Sequence, residues 1–141
     1  MPGPGPVYPQ LVGDYDPQGA YRYRSDSGPK VAGWWVMKTL WWIDPLENDE
    51  VIIRALRLDG TTPILLGNGV PTGVDVVAIT PAGGTGNYSG ENLLLTARDI
   101  SNIINGWRNY PGSTAIRTGG CYGFQVDGKT FSYTIVFKAV P

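Results

Sequence analysis

The chain has 141 residues, 42% of them hydrophobic and 16% charged, with a formal net charge of −1; this length allows one domain with a single core. A charge so near zero, without a basic run, lacks the footprint of nucleic-acid binding, and no apolar stretch approaches the roughly 20 residues that cross a bilayer as a helix. Histidine is absent and cysteine occurs once, which removes an internal disulfide, the commonest zinc ligand and every Ser–His or Cys–His nucleophile pair.

The 20 glycines and 12 prolines predict many turns. Residues 1–20 carry Pro2, Pro4, Pro6, Pro9 and Pro17. Each lacks an N–H for a ladder, so the segment reads as an irregular, flexible leader ahead of one domain at 21–141. The leader shows neither the charged nor the apolar block of an export signal, so an exported or lipid-anchored form would carry that signal upstream and lose it. Tyr21–Arg24 alternates like a short edge strand before a turn at Ser25–Pro29.

Next comes VAGWWVMKTLWWI, whose β-branched and aromatic residues predict a strand that Asp44-Pro45 stops. VIIRALRL (51–58) is a second strand closed by Asp59-Gly60, and shorter runs follow at 64–66, 74–80 and 92–97. The glycine-rich stretch at 81–91 lacks phosphate-binding spacing and reads as a connection. Ile100, Ile103 and Ile104 within ARDISNIING (97–106) have helical spacing and predict a helical turn. GWRNYPGS then reads as a loop before a closing hairpin.

In that hairpin, Tyr122, Phe124 and Val126 share one face of a strand, and Phe131, Tyr133, Ile135 and Phe137 share one face of the next. A two-residue loop at Asp127-Gly128, or a four-residue loop at Asp127–Thr130, unites the two sets; a three-residue loop opposes them to Ser132 and Thr134. Cys121 falls on the other face beside Gly123 and Gln125. With no histidine to activate it, it reads as a small packed side chain.

The tryptophan pairs raise the functional question. One strand through both places Trp35, Met37, Thr39, Trp41 and Ile43 on a charge-free core face, and Trp34, Val36, Lys38, Leu40 and Trp42 on the other. Outward Trp34 and Trp42 would make a ring-stacking platform, with Trp107, Arg108 and Tyr110 in the nearby loop as a second element. The competing and preferred reading folds the tyrosine-bearing N-terminal segment over that face; a bend near Thr39 that brings all four rings inside is a third. Asp44, Glu47, Asp49 and Glu50 lack the spacing of a calcium loop and read as a solvated turn. Asn87-Tyr88-Ser89 fits a glycosylation acceptor.

The segment GWRNYPGSTAIRTGGCYGFQVDGKTFSYTIVF (106–137) resembles the C-terminal part of uncharacterised exported or lipid-anchored bacterial proteins. In these, a Gly-Trp-Arg-aromatic-Pro loop precedes a Gly-Cys-aromatic strand and an Asp-Gly hairpin; the IRALRLDG strand and turn match more loosely. The strand start, tight hairpin and apolar last strand also resemble the end of immunoglobulin-like sandwiches. The resemblance implies an exported β-sandwich and carries no assigned activity.

Seven or eight short strands with turn signals between them predict an all-β, immunoglobulin-like antiparallel β-sandwich. The expected function is that of a non-catalytic binding or scaffold domain, extracytoplasmic and either secreted or at the cell surface, with an unknown protein or glycan ligand. The alternatives are a carbohydrate-binding module or a subunit of a cell-surface assembly in which residues 1–20 pair with a neighbour. No cofactor, metal or catalytic residue is expected.

Overall fold

The computed structural model describes residues 4–24, 30–31, 33–68, 92–95 and 102–141. Residues 74–80, the glycine-rich stretch and Asn87-Tyr88-Ser89 lie outside them. Among the described residues none is helical, and eleven strands form two sheets. The first sheet holds β1 (Val7–Leu11), β3 (Lys30–Val31), β4 (Trp34–Ile43), β6 (Ile64–Asn68), β8 (Asn102–Ile104) and β9 (Trp107–Ile116). The second holds β2 (Tyr21–Arg22), β5 (Val51–Arg57), β7 (Asn92–Leu95), β10 (Gly120–Asp127) and β11 (Ser132–Val140). The fold is an all-β sandwich, antiparallel except where β2 pairs with β11. It has more strands than the expected seven or eight, because both edges are built from short pieces.

The long pairing of β4 with β9, from Trp35 opposite Ile116 to Ile43 opposite Arg108, is the centre of the first sheet. Backbone groups in a strand point alternately to its two neighbours. Val12 N donates to Lys38 O and Asp44 N donates to Pro6 O, each at 2.9 Å. Even-numbered residues of β4 therefore face β1 and odd-numbered ones face β9. On β9 the even residues face β4, and the odd ones face β8 and β6.

This alternation explains two strands the composition conceals. Pro111 of β9 directs its nitrogen to the side where β8 reaches only as far as Asn109 and β6 begins at Gly112. No hydrogen bond is lost there, so the segment expected to be a loop is a central strand. Pro9 of β1 directs its nitrogen to the open edge while Tyr8 and Gln10 bond to β4. The expectation that prolines bar a ladder from residues 1–20 is thus corrected: Val7–Leu11 is paired along its whole length.

The helical turn expected at 97–106 is also corrected where it can be seen. Asn105 and Gly106 both adopt positive φ, 52° and 83°, and join Ile104 to Trp107 in a tight hairpin of type I′ character. Asn-Gly overrides the isoleucine spacing because this turn needs two left-handed residues, which these two residue types tolerate best.

The faces of β4 follow the period of two. Met37, Thr39, Trp41 and Ile43 are buried between the sheets, and Trp35 packs half-buried against them. Trp41 meets Phe124 of the opposite sheet edge-on at 5.1 Å. Burial of such side chains contributes about 1.5–3 kcal/mol each. Thr39 and Thr114 pair their hydroxyls at 2.7 Å, which removes the cost of burying both. Opposite Thr39, Gly112 gives Trp41 its room: a Cβ there would stand 3.0 Å from the Gly67 carbonyl oxygen and 3.3 Å from Trp41 Nε1.

The closing hairpin unites the two aromatic faces, but through a different loop from either expected. Phe124 pairs with Ile135 and Tyr122 with Phe137, so the loop is Gly128–Phe131. Two features hold this register. Phe131 folds its ring over Gly128, where any Cβ would collide. On the outer face Gln125, Asp127 and Ser132 bond to one another at 2.7–3.0 Å, and Gln125 also takes Thr134 at 2.8 Å.

Tyr133 ties the sheets together at one side. Its hydroxyl donates to Val7 O at 2.6 Å and accepts from Val7 N at 2.9 Å, satisfying both groups that β1 turns outward there. Burial pushes its pKa up to about 12 from the ordinary 10.0, partly offset by the Val7 amide. Tyr133→Phe is expected to lower stability in urea denaturation by about 1–3 kcal/mol, because Val7 loses its partner. The folded chain also holds this proton more tightly than the unfolded chain. The contribution is therefore fully present below pH 10.0 and declines as pH rises towards about 12. The variant should lack that component of the alkaline decline.

Candidate functional site

Directly paired residues share a face, so Tyr8 and Gln10 of β1 project outward with Trp42 and Leu40 of β4. The Asn105-Gly106 turn starts β9 with Trp107 on the same outer face. Tyr8 and Trp107 lie with ring centres 5.9 Å apart and planes at 55°. Trp42 Nε1 donates to Gln10 Oε1 at 2.9 Å, which fixes the indole and leaves the Gln10 amide N–H groups for another acceptor. Trp42 and Trp107 are both half-buried, so each offers part of its ring to solvent.

This shelf is one wall of a groove of 770 Å³ that wraps over β1 into the opening between the two sheets. Phe124 and Phe137, stacked at 4.9 Å, lie at its bottom. Tyr15 stands at its side with its hydroxyl on Leu11 O at 2.7 Å. Asn105 and Lys138 complete the rim, and among the described residues Lys138 is the one charged side chain lining it.

The other predicted site residues lie elsewhere. Trp34 does project to the outer face, but it is only 1% exposed, packed with Val36, Leu65 and Ala115 and covered by the Arg117 guanidinium 4.5 Å from its ring centre. Arg108 and Tyr110 are turned to the inner face opposite Ile43 and Trp41, each 8% exposed. As loop residues they could have converged with Trp107; as alternate residues of a strand they cannot. The structure thus keeps Trp42 and Trp107 together and separates them from Trp34, Arg108 and Tyr110. Gln10 and Lys138 went unnoticed in the sequence, and Tyr15 was expected only as part of the tyrosine-bearing segment covering the tryptophan face. The alternation Val7, Pro9, Leu11 against Tyr8, Gln10 was the available signal for the first.

No protein-family model and no curated protein matches this chain. Its chemistry has to be read from the groove alone.

The remaining polar clusters stabilise local structure. Arg57 donates through Nε to Asp59 at 2.9 Å, through Nη1 to Thr62 and to Thr118 at 2.8 Å, and through Nη2 to Gly119 O at 3.1 Å. The guanidinium hydrogen-bonded to Asp59 holds that carboxyl below its usual range. In the turn after β4, Asp44 accepts the Leu46 N–H and Glu47 accepts the Asp49 N–H, both at 2.8 Å. Among the described residues no group of carboxylates or thiols is placed to hold a metal. Cys121 is half-buried on the outer face of the second sheet.

Trp34 and Trp42 are therefore expected to respond unequally to truncation. Trp34→Ala should cost about 3–5 kcal/mol in urea denaturation as a cavity opens in a sealed cluster. Trp42→Ala should cost about 1 kcal/mol. Equal losses would contradict the assignment of one ring to packing and the other to the groove.

Proposed function

We propose that this chain is a non-catalytic, extracytoplasmic binding domain, secreted or at the cell surface, and that its groove receives the flat apolar face of a sugar ring. The observation that carries this reading is the pairing of two partly open indoles, Trp42 and Trp107, on one shelf. Aromatic faces stack on the C–H face of a pyranose, and amides then select its hydroxyls. Gln10 and Asn105 are the amides within reach of the shelf. Acid–base or nucleophilic catalysis needs convergent ionisable groups, and among the described residues lining the groove Lys138 alone carries a charge. The exported character rests on the resemblance of residues 106–137.

Titration with soluble oligosaccharides of β-linked glucose, N-acetylglucosamine and xylose, followed by tryptophan fluorescence, tests the reading. At least one should bind, with affinity reduced more than tenfold in Trp42→Ala and in Trp107→Ala while the melting temperature stays near that of the parent. Binding that survives both substitutions would contradict it, as would no response to any of the three up to millimolar concentration.

A further inference from the structure

The groove has a second recognition element, made of backbone. In the closing hairpin Gly128 N donates to Phe131 O at 2.9 Å. By alternation the odd residues of β11, Ile135 and Phe137 among them, bond to β10, and the even residues turn their N–H and C=O groups to the opposite edge. On that edge β2 pairs only with Ala139 and Val140, and Tyr23 N donates to Val140 O at 3.0 Å. The parallel pairing of Tyr21 with Ala139 takes the Lys138 C=O for the Tyr21 N–H, so Thr134 and Val136 present both N–H and C=O groups, and Lys138 its N–H, without a partner among the described residues. The edge of β1 across the groove is treated in the opposite way. Tyr133 occupies Val7, Pro9 has no N–H, and the Tyr15 hydroxyl covers Leu11 O. Folded proteins normally blunt such edges; here, among the described residues, one is partly capped and its neighbour is left open.

We propose that the open edge of β11 binds an extended segment of a partner polypeptide by strand addition. Only an extended chain offers donors and acceptors at the matching repeat, about 3.4 Å per residue. Alternate side chains of the guest fall towards Phe124, Ile135 and Phe137 and have to be apolar. The intervening ones lie beside Thr134, Val136 and Lys138 on the outer face. Lys138 makes no ion pair among the described residues, and its charge selects an acidic residue at the guest position next to it. The Tyr133 clasp ends the site on one side and β2 ends it on the other, so the paired stretch is short. The edge groups of β11 are distinct from the side chains of the sugar shelf, so peptide and sugar binding are separable.

The test uses the full chain, isotope-labelled, and an end-capped nine-residue peptide alternating valine and threonine with one central glutamate. At saturation the Thr134, Val136 and Lys138 amides should exchange with solvent at least tenfold more slowly, with Ile135 and Phe137 unchanged. Val136→Pro removes one outward N–H as Pro9 does in β1, and should weaken binding at least tenfold without lowering the melting temperature. Trp42→Ala should bind the peptide as the parent does. A peptide N-methylated along one edge should not bind, which keeps the proposal testable if the proline variant fails to fold. The proposal is overturned if millimolar peptide leaves all three amides unprotected, or if the N-methylated peptide binds equally. It is also overturned if the free chain self-associates through β11, since the occupant would then be a second copy.

Discussion

In a strand every N–H and C=O points to one neighbour or the other, by turns, and each has to find a partner or meet water. The β4–β9 pairing sets this alternation for the first sheet, and the hairpin of β10 and β11 sets it for the second. Prolines become harmless wherever their nitrogen falls on an unpaired side, as at Pro9 and Pro111. Tyrosines become useful where an outward group needs a cap, as Tyr133 does for Val7 and Tyr15 for Leu11. Among the described residues the result is a sandwich with one partly guarded edge and one exposed edge along the same groove.

Side-chain alternation acts on the same residues and gives the groove its two chemistries. The outward set of β1, β4 and β9 supplies Gln10, Trp42 and Trp107, suited to a flat ring with hydroxyls. The inward set of β10 and β11 supplies Phe124, Ile135 and Phe137, an apolar bottom. Between them lie the N–H and C=O groups of Thr134 and Val136, which have no partner among the described residues. On the two proposals above, one surface joins a sugar to a partner polypeptide.

Much of this architecture was legible from residue order where the period of two was long and uninterrupted. Trp34–Ile43 could be read as a strand and its core face assigned, because ten residues of alternation leave little freedom. The union of the hairpin faces was legible too, though its loop was not: Phe131 closing over Gly128 is a contact that propensity does not encode. The strands Val7–Leu11 and Trp107–Ile116 were hidden because proline was counted as a breaker without asking which side its nitrogen would face. That answer depends on where a neighbouring strand ends. With β9 read as a loop, Arg108 and Tyr110 had no assigned direction, and they were grouped with Trp107 when alternation sends them to the other side of the sheet. Trp34 and Trp42 share a face, yet only the second lies in the groove; burial along a single strand face is decided by what packs over each end.

Amide hydrogen exchange of the free chain, read residue by residue along β11, tests the central claim most directly. The account predicts an alternating pattern, with Ile135 and Phe137 protected by β10 and Thr134, Val136 and Lys138 exchanging readily, while the Val7 amide is protected until Tyr133 is replaced by phenylalanine. Uniform protection along Thr134–Lys138 would contradict it, because the edge would then already be paired.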